Sequence, residues 1–263
     1  MLCTIPGVRA LVIEPEAGND PALVGERLRQ QGFELTHLVL SDEHGDARDI
    51  DLPEPGAYDV VVAMGSIRSV YESERRPWIA HELDFLRRAH AAGVPVLGIC
   101  FGAQALATAH GGGVVRAERP QVGWYPLDTD VGSGLPNGPW MQWHYDRIEP
   151  PAGATVHAAD DLCVQAFQVG PSLGVQFHPE VTRDHLAGWI GNGGATELAR
   201  LGIDPDELLA DTEAIQPDVT ARTNRLVDWF LADVAGLGGR QAAADQVDEV
   251  VVVEGAAGRL VDS

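Results

Sequence analysis

Cys100 is the residue of this sequence whose surroundings most clearly suggest chemistry. It ends a short apolar run and stands between two glycines, in the segment VPVLGICFGAQAL (residues 94–106). A buried strand that ends in Gly-x-Cys-x-Gly and continues into a helix has the layout of a nucleophile elbow, with cysteine in the place of serine. Glycine is needed at Gly98 and Gly102 because these residues crowd one another in such a turn. The alternative is a buried core cysteine in a glycine-rich turn.

Such a turn would favour a cysteine nucleophile in two ways. The side chain would project from the carboxyl end of the sheet, where ligands bind in open α/β folds. The N–H groups at the start of the following helix would point at the same spot, and their positive field favours a thiolate and an oxyanion. Holding the turn costs about 1–3 kcal/mol of backbone strain. This segment alone does not decide between a nucleophile and a core cysteine.

His178 is the histidine that best fits the role of a base for Cys100. The chain has nine histidines, and this one follows an apolar strand in LGVQFHPEV (residues 173–181). Pro179 ends the hydrogen bonding of that strand and fixes the backbone. His178 and Glu180 flank the proline, so an extended chain directs both side chains to the same face. The carboxylate could then bind one imidazole nitrogen and leave the other for the thiol, as in a nucleophile–base–orienter triad.

Composition argues against several classes of function. The 263 residues include 39 acidic and 18 basic side chains, and the net charge of −21 disfavours binding to nucleic acids or anionic membranes. We find no apolar run of the roughly 18 residues that cross a membrane, no signal-peptide pattern and no metal-binding motif. Three scattered cysteines do not form a disulfide framework. We therefore expect a cytoplasmic globular protein without a metal or cofactor, whose partner is a small polar substrate or another protein.

Strands and helices alternate in the first part of the chain. Apolar runs predict buried strands, with helices between them, at residues 8–14, 33–40, 58–65 and 94–100. Asp20 and Pro21 are suited to begin the first of these helices, and Gly32 to end it. The alternation is typical of a flavodoxin-like, doubly wound α/β fold with a mostly parallel sheet.

The pattern changes after Gly111. Short β-like pieces separated by glycine and proline follow, which predicts antiparallel or edge strands. From Thr182 the sequence becomes helical again in three pieces, and the last of them (residues 218–234) has one apolar face. We predict one domain over residues 1–235 that includes this C-terminal helical extension. A flexible or loosely attached tail is predicted over residues 236–263.

Two segments taken together resemble a known enzyme family. GICFGAQ (residues 98–104) and GVQFHPE (residues 174–180) are similar to the motifs of the class I (triad) glutamine amidotransferases, the glutaminase domains that supply ammonia to synthetases. MGSIRSVY (residues 64–71) and QWHYDRI (residues 142–148) correspond to two further segments of that family. Over roughly residues 8–234, the sequence most resembles the glutaminase domain of GMP synthase. The resemblance implies a stand-alone, GMP synthase-like glutaminase.

The resemblance implies a mechanism for the predicted triad. Cys100 would be the nucleophile, His178 the general acid and base, and Glu180 its orienter. Attack on the side-chain amide of L-glutamine would give a glutamyl thioester and release ammonia. Hydrolysis of the thioester would give glutamate, and the ammonia would pass to a separate acceptor enzyme.

The resemblance also assigns the contacts to the substrate. The oxyanion would bind the N–H of Phe101 and a second N–H, from Gly65 or Ser66. The amino-acid end of the substrate would bind Gln104, with backbone contacts from His144 and Tyr145.

The sequence departs from the family pattern in two loops. Ser66 and Ile67 replace a Gly-Pro pair, and the loss of glycine would matter if that residue required a positive φ. Trp143 and Tyr145 replace a serine and a glycine in the substrate loop, where their bulk would narrow the pocket or favour a γ-glutamyl compound. Two alternatives to the glutaminase therefore stay open. One is a γ-glutamyl hydrolase that needs no partner, and the other is a non-catalytic regulatory subunit.

Other signals have simpler explanations. HGGG (residues 110–113) matches an oxyanion motif of lipases, but it follows the nucleophile instead of preceding it, so a helix end and a turn explain it. Cys3 and Cys163 are predicted to be structural or incidental. Packing in the core or at its rim is predicted for three tryptophans, Trp124, Trp140 and Trp143.

Overall fold

A seven-stranded sheet, a separate two-stranded sheet and six α-helices make up the described part of the chain. The computed structural model describes residues 7–42, 44–48, 51–129 and 133–238. The strands are β1 (Arg9–Glu14), β2 (Glu34–Val39), β3 (Val60–Ala63), β4 (Val96–Ile99), β5 (Gly113–Tyr125), β6 (Trp140–Glu149), β7 (Thr155–Ala159), β8 (Val164–Val169) and β9 (Ser172–Val175). The helices are α1 (Ala22–Gln30), α2 (Pro77–Ala91), α3 (Phe101–Ala109), α4 (Arg183–Trp189), α5 (Ala195–Leu201) and α6 (Pro205–Trp229).

The order of strands in the large sheet is β2-β1-β3-β4-β9-β8-β7. The strands from β2 to β9 in that order are parallel, and β8 and β7 add an antiparallel edge. This confirms the predicted doubly wound, mostly parallel sheet with antiparallel edge strands. The prediction of an antiparallel or edge strand holds only in part for β9, which lies inside the sheet, antiparallel to β8 but parallel to β4. All four residues of β9 are buried, as is typical of an interior parallel strand.

Each face of the large sheet has its own apolar core. Successive side chains of a strand point to opposite faces. On β1, Ala10 and Val12 pack in the cluster that includes α1 and α6, whereas Leu11 and Ile13 pack in the cluster that includes α2 and α3. The helices therefore cover both faces of the sheet. The carboxyl ends of β1, β3, β4 and β9 lie side by side at one end of the strands, where side chains from the following loops can converge.

Helix α1 follows its predicted signals with a shift of one residue. It begins at Ala22 instead of Pro21, and Asp20 accepts a hydrogen bond from the Ala22 N–H at 2.9 Å. Gly32 follows the helix with a φ of 83°, which glycine adopts without steric penalty. The start of α1 at Ala22 sets the length of the loop between β1 and α1, which lies beside the candidate site.

Helix α6 differs from the prediction at Pro217. The sequence predicts two separate helical pieces in this region, but Pro205–Trp229 is one helix with Pro217 inside it. A proline in a helix interior removes a hydrogen bond and often breaks the helix. Here the helix buries Leu226 and Val227 against the sheet core, and that tertiary packing outweighs the local effect of the proline.

Two predictions concern parts of the chain at or beyond the described ranges. The predicted tail lies outside the described residues from residue 239 onward, and so does Cys3. The boundary at residue 235 stays a prediction. Among the helices of the described ranges, none is long and apolar enough to cross a membrane.

Glu82 on α2 is a buried carboxyl group without a partner. Its side chain is fully buried, and neither carboxyl oxygen has a hydrogen-bond partner among the described residues. Burial, with a smaller contribution from the nearby Glu16, raises the pKa of Glu82 from 4.5 to about 8. The folded protein therefore keeps a proton that the unfolded chain releases. It follows that this group lowers folding stability progressively as the pH rises from about 4.5 to about 8.

Replacement of Glu82 by glutamine should remove this pH dependence, because glutamine has a similar shape and does not ionise. We expect Glu82→Gln to raise the melting temperature relative to the wild type by several degrees more at pH 9 than at pH 5, at about 2–4 °C for each kcal/mol of relieved cost. Thermal unfolding at the two pH values measures this effect. The exposed Glu74→Gln is the control. An equal shift at both pH values for Glu82→Gln would contradict a buried ionisation.

Candidate active site

Cys100 lies in a strained turn between β4 and α3. Its φ and ψ are 51° and −105°, a backbone conformation that non-glycine residues rarely adopt. A side chain at Gly98 would come within 2.6 Å of the Gly102 carbonyl oxygen. A side chain at Gly102 would overlap the backbone of Ala63 on β3. The crowding predicted from the sequence is therefore confirmed, and both glycines are required for the turn.

The position of Cys100 next to a helix start shapes its electrostatic surroundings. The residue is the N-cap of α3, and it is 5% exposed. The first N–H groups of a helix, beginning here with Phe101, have no partner within the helix. These donors and the positive end of the helix dipole stabilise negative charge at the sulfur or on an oxygen bound beside it.

His178 and Glu180 form a buried hydrogen-bonded pair. The Nδ1 atom of His178 lies 2.8 Å from Oε1 of Glu180. The two residues are 5% and 2% exposed. The N–H of His178 donates to the carbonyl oxygen of Met141 on β6 at 2.8 Å, which ties the end of this strand to the second sheet. The ring therefore has one nitrogen occupied and a fixed orientation.

The charges around His178 favour its protonated form. Burial opposes protonation, but the Glu180 carboxylate and the Cys100 sulfur outweigh burial and raise the pKa of His178 to about 10. The Nε2 atom of His178 has no hydrogen-bond partner among the described residues. Since Glu180 occupies Nδ1, Nε2 is the nitrogen left to exchange a proton with Cys100 or with a substrate. A protonated imidazole favours the anionic form of a neighbouring thiol.

Gln176 is a residue of the site that the sequence interpretation missed. Its Nε2 atom donates a hydrogen bond to the Cys100 sulfur at 3.6 Å. Its Oε1 atom accepts a hydrogen bond from Nε2 of Gln104 at 3.2 Å, which directs the amide of Gln176 towards the sulfur. The signal was present in the sequence, because Gln176 stands two residues before His178 and alternate residues of an extended chain share a face.

Replacement of Gln176 by leucine should slow the alkylation of Cys100. Leucine fills a similar volume but cannot donate to the sulfur, so a thiolate loses a hydrogen bond of about 1 kcal/mol. We expect the rate of reaction with iodoacetamide at pH 7 to fall by about fivefold, which corresponds to that free energy. Gln168→Leu on β8 is the control, because Gln168 binds His157 instead. An unchanged rate in Gln176→Leu would show that the contact does not stabilise the thiolate.

Gln104 and His144 lie buried near the triad, at 3% exposure each. Gln104 reaches Cys100 through Gln176. Nδ1 of His144 donates to the carbonyl oxygen of Asp146 at 2.9 Å, and Nε2 has no partner among the described residues. Burial, aided by the nearby His178, lowers the pKa of His144 to about 4. His144 is therefore neutral at pH 7, with a lone pair on Nε2 available to a hydrogen-bond donor.

The side chain of Tyr145 lies away from these groups. Its hydroxyl donates to Glu197 on α5 at 3.1 Å, and the Arg116 guanidinium lies 4.8 Å from the centre of its ring. Tyr145 alternates with the inward-facing His144 along β6 and is partly exposed. The predicted involvement of Tyr145 is therefore limited to its backbone or to contacts with α5.

Trp189 is the second site residue that the sequence interpretation missed. Its ring centre lies 4.8 Å from that of His178, at an angle of 65°, and 5.9 Å from that of Trp143. It ends α4, and the glycine-rich turn after it leads to α5. We refer to residues 183–201 as the lid segment. No motif could have revealed this contact, because it depends on how the lid segment folds back over the site.

Gly65 is the loop residue that lies against the triad. A Cβ atom at Gly65 would lie 3.3 Å from Cε1 of His178 and 3.7 Å from Cβ of Cys100. Ser66 follows Gly65, and among the described non-glycine residues only Ala22 and Cys100 have a positive φ. Ser66 therefore does not have the positive φ that would have made the replacement of glycine costly.

Sequence comparison places these motifs in a family. The model of the class-I glutamine amidotransferases matches residues 24–187. A γ-glutamyl-L-1-hydroxyisopropylamide hydrolase of Pseudomonas sp. is 33% identical over 164 residues, which are 55% of this chain and 53% of the relative. A GMP synthase of Aeropyrum pernix is 34% identical over 230 residues, which are 81% of this chain and 41% of the relative. The chain thus spans about half or less of the length of these two curated relatives.

Solved structures share the fold along most of the chain. A glutamine amidotransferase from Thermotoga maritima superimposes with a TM-score of 0.75 at 26% identity, covering 86% of this chain and 99% of the other. A glutamine amidotransferase from Methylobacillus flagellatus shares the fold with a TM-score of 0.74 at 22% identity, covering 86% and 95%. The chain belongs to the class-I glutamine amidotransferase family.

Proposed function

We propose that this chain hydrolyses the side-chain amide of L-glutamine and releases glutamate and ammonia, with a separate acceptor enzyme as the consumer of the ammonia. The observation that carries the proposal is the buried His178–Glu180 pair, at 2.8 Å, next to Gly65, where an added Cβ would lie 3.3 Å from His178 and 3.7 Å from Cβ of Cys100. The proposed glutaminase domain comprises residues 1–235. Family membership supports amide hydrolysis by a cysteine as the class of reaction.

The first half of the reaction forms the thioester. The Cys100 thiolate attacks the side-chain carbonyl carbon of glutamine, and the carbonyl π electrons move to the oxygen. The N–H of Phe101 and a second N–H from the loop after β3 bind this oxyanion. His178 gives its Nε2 proton to the amide nitrogen, the carbon–nitrogen bond breaks, and ammonia leaves. Glu180 stabilises the imidazolium before the transfer and holds the ring in place.

The second half of the reaction hydrolyses the thioester. The neutral His178 accepts a proton from a water molecule as that water attacks the thioester carbon. The second tetrahedral intermediate collapses, the carbon–sulfur bond breaks, and the thiolate of Cys100 is restored beside a protonated His178. Glutamate leaves. The buried, neutral His144 is suited to accept a hydrogen bond from the ammonium group of the substrate.

A second candidate is the hydrolysis of N-substituted γ-glutamyl amides without a partner. The leaving nitrogen must approach His178, whose ring contacts Trp189. A small alkyl group on that nitrogen would pack against the Trp189 ring and gain apolar burial that the bare amide of glutamine cannot provide. The relative from Pseudomonas sp., whose name describes a γ-glutamyl amide hydrolase, adds support.

Glutamate release from two substrates tests both candidates. The wild type is incubated with L-glutamine and with L-γ-glutamylethylamide, and glutamate is measured together with ammonia or ethylamine. A preference for glutamine supports the first candidate. A preference for the ethylamide, with a KM that rises in Trp189→Ala for the ethylamide more than for glutamine, supports the second. Release from neither substrate would contradict both and favour a regulatory subunit.

A further inference from the structure

The loop after β3 lies between two other loops at the carboxyl edge of the sheet. The strand order β1-β3-β4 places the loop after β1 on one side of it and the turn that carries Cys100 on the other. The loop after β1 carries Glu16 and Asn19, and the loop after β3 carries Gly65 and Ser66. A carbonyl or N–H group of the Gly65–Ser66 peptide that forms a hydrogen bond with the loop after β1 therefore points away from Cys100.

Asn19 and Glu16 hold the loop after β3 from the β1 side. The Nδ2 atom of Asn19 donates to the carbonyl oxygen of Gly65 at 3.1 Å and to Oε2 of Glu16 at 3.3 Å. The hydroxyl of Ser66 donates to Oε1 of Glu16 at 2.7 Å. The same hydroxyl accepts a hydrogen bond from the N–H of Arg68 at 3.0 Å. Four hydrogen bonds thus fix the carbonyl of Gly65 and the side chain of Ser66.

The planarity of the peptide bond determines where the Ser66 N–H points. In a planar trans peptide the C=O of one residue and the N–H of the next point in opposite directions. Since the Gly65 carbonyl faces Asn19, the Ser66 N–H faces the β4 side, where Cys100 lies. Gly65 also lies next to Cys100, because a Cβ added at Gly65 would be 3.7 Å from Cβ of Cys100. In the described parts of the chain, no acceptor is found for the Ser66 N–H.

We propose that Asn19 and Glu16 are positioning residues that orient the Gly65–Ser66 peptide, so that the Ser66 N–H is the second donor to the oxyanion. This proposal rests on the proposed function, because an oxyanion forms only when Cys100 attacks a carbonyl carbon. It also gives a reason for Ser66. The serine hydroxyl binds Glu16, a contact that glycine at this position could not make.

Asn19→Leu tests the proposal, because leucine has a similar volume but no donor for the Gly65 carbonyl. Loss of one oxyanion donor lowers kcat by roughly 10²–10³-fold, and we expect about 10–100-fold for a donor that is present but misdirected. KM should change by less than about threefold, since the oxyanion forms only in the transition state. Ser66→Gly, which removes the bond to Glu16, should lower kcat in the same way but less strongly.

A second readout separates positioning from general damage to the site. Alkylation of Cys100 by iodoacetamide forms no oxyanion, so its rate should stay the same in Asn19→Leu and Ser66→Gly. Asn224→Leu on α6 is the matched control and should leave kcat unchanged. The substrate is whichever of L-glutamine and L-γ-glutamylethylamide the wild type hydrolyses faster.

Three outcomes would overturn the proposal. A kcat in Asn19→Leu equal to that of Asn224→Leu would show that the peptide needs no anchor. A parallel fall of kcat and of the alkylation rate would show that Asn19 supports the fold around Cys100 instead. A wild type that reacts with iodoacetamide at Cys100 but hydrolyses neither substrate would contradict the proposed function and, with it, the need for an oxyanion donor.

Discussion

Cys100→Ser is expected to reduce glutamate release by about 10⁴-fold or more, the scale of loss seen when an enzyme's nucleophile is removed. Serine has nearly the shape of cysteine, but its hydroxyl is a far weaker acid than a thiol and is not held as an anion by His178. Measured kcat values for both proteins, with circular dichroism and thermal unfolding to confirm that the variant is folded, check this result.

Cys163→Ser is the matched control for this prediction. Cys163 is also buried, and burial raises the pKa of its thiol to about 12, which makes it inert at neutral pH. Its sulfur accepts a hydrogen bond from Gln165 at 3.3 Å, and serine can accept the same bond. We expect this variant to keep its activity within about twofold, as for substitutions away from a site. A folded Cys100→Ser variant with wild-type activity would refute the assignment of the nucleophile.

His178→Gln is expected to reduce kcat by about 10²–10⁴-fold, the contribution typical of a general acid and base. Glutamine can still form a hydrogen bond but cannot shuttle a proton. The alkylation of Cys100 at pH 6–7 should slow as well, because the positive charge that stabilises the thiolate is removed. A kcat measurement combined with a pH series of iodoacetamide reaction separates the two effects.

Glu180→Gln provides a pH-dependent test of the same pair. Burial lowers the pKa of His178, and the Glu180 carboxylate is the main group that raises it. Removal of the carboxylate should therefore lower that pKa below about 10. The alkaline limb of the pH profile of kcat/KM should then move to lower pH. His178 would lose its proton at a lower pH, and the leaving nitrogen needs that proton. Glu14→Gln is the control, since Glu14 forms a similar pair with His37, at 2.6 Å, outside the site. An unchanged alkaline limb in Glu180→Gln would contradict the role of Glu180.

The parts of the site that follow from local rules could be predicted from the sequence. The glycines at Gly98 and Gly102 are explained by steric crowding within one turn, which the sequence shows directly. His178 and Glu180 share a face because they stand two residues apart on an extended chain, and the structure joins them at 2.8 Å. The same reasoning would have identified Gln176, two residues earlier.

The parts that depend on tertiary packing could not be predicted in the same way. Trp189 reaches His178 only because the lid segment folds back over the site, and its local sequence carries no sign of that contact. The contact of Asn19 with the Gly65 carbonyl depends on β1 and β3 being neighbours in the sheet. The continuity of α6 through Pro217 reflects burial against the core, which propensity alone does not reveal.

The most direct test of a glutamine-hydrolysing Cys100 is covalent trapping with 6-diazo-5-oxo-L-norleucine, an electrophile that mimics glutamine. The adduct is measured by intact mass and located by peptide mass spectrometry. We expect one adduct on Cys100 that forms more slowly with excess L-glutamine and is absent from Cys100→Ser. Failure of the probe to label a Cys100 that iodoacetamide still alkylates would show that the site does not accept glutamine.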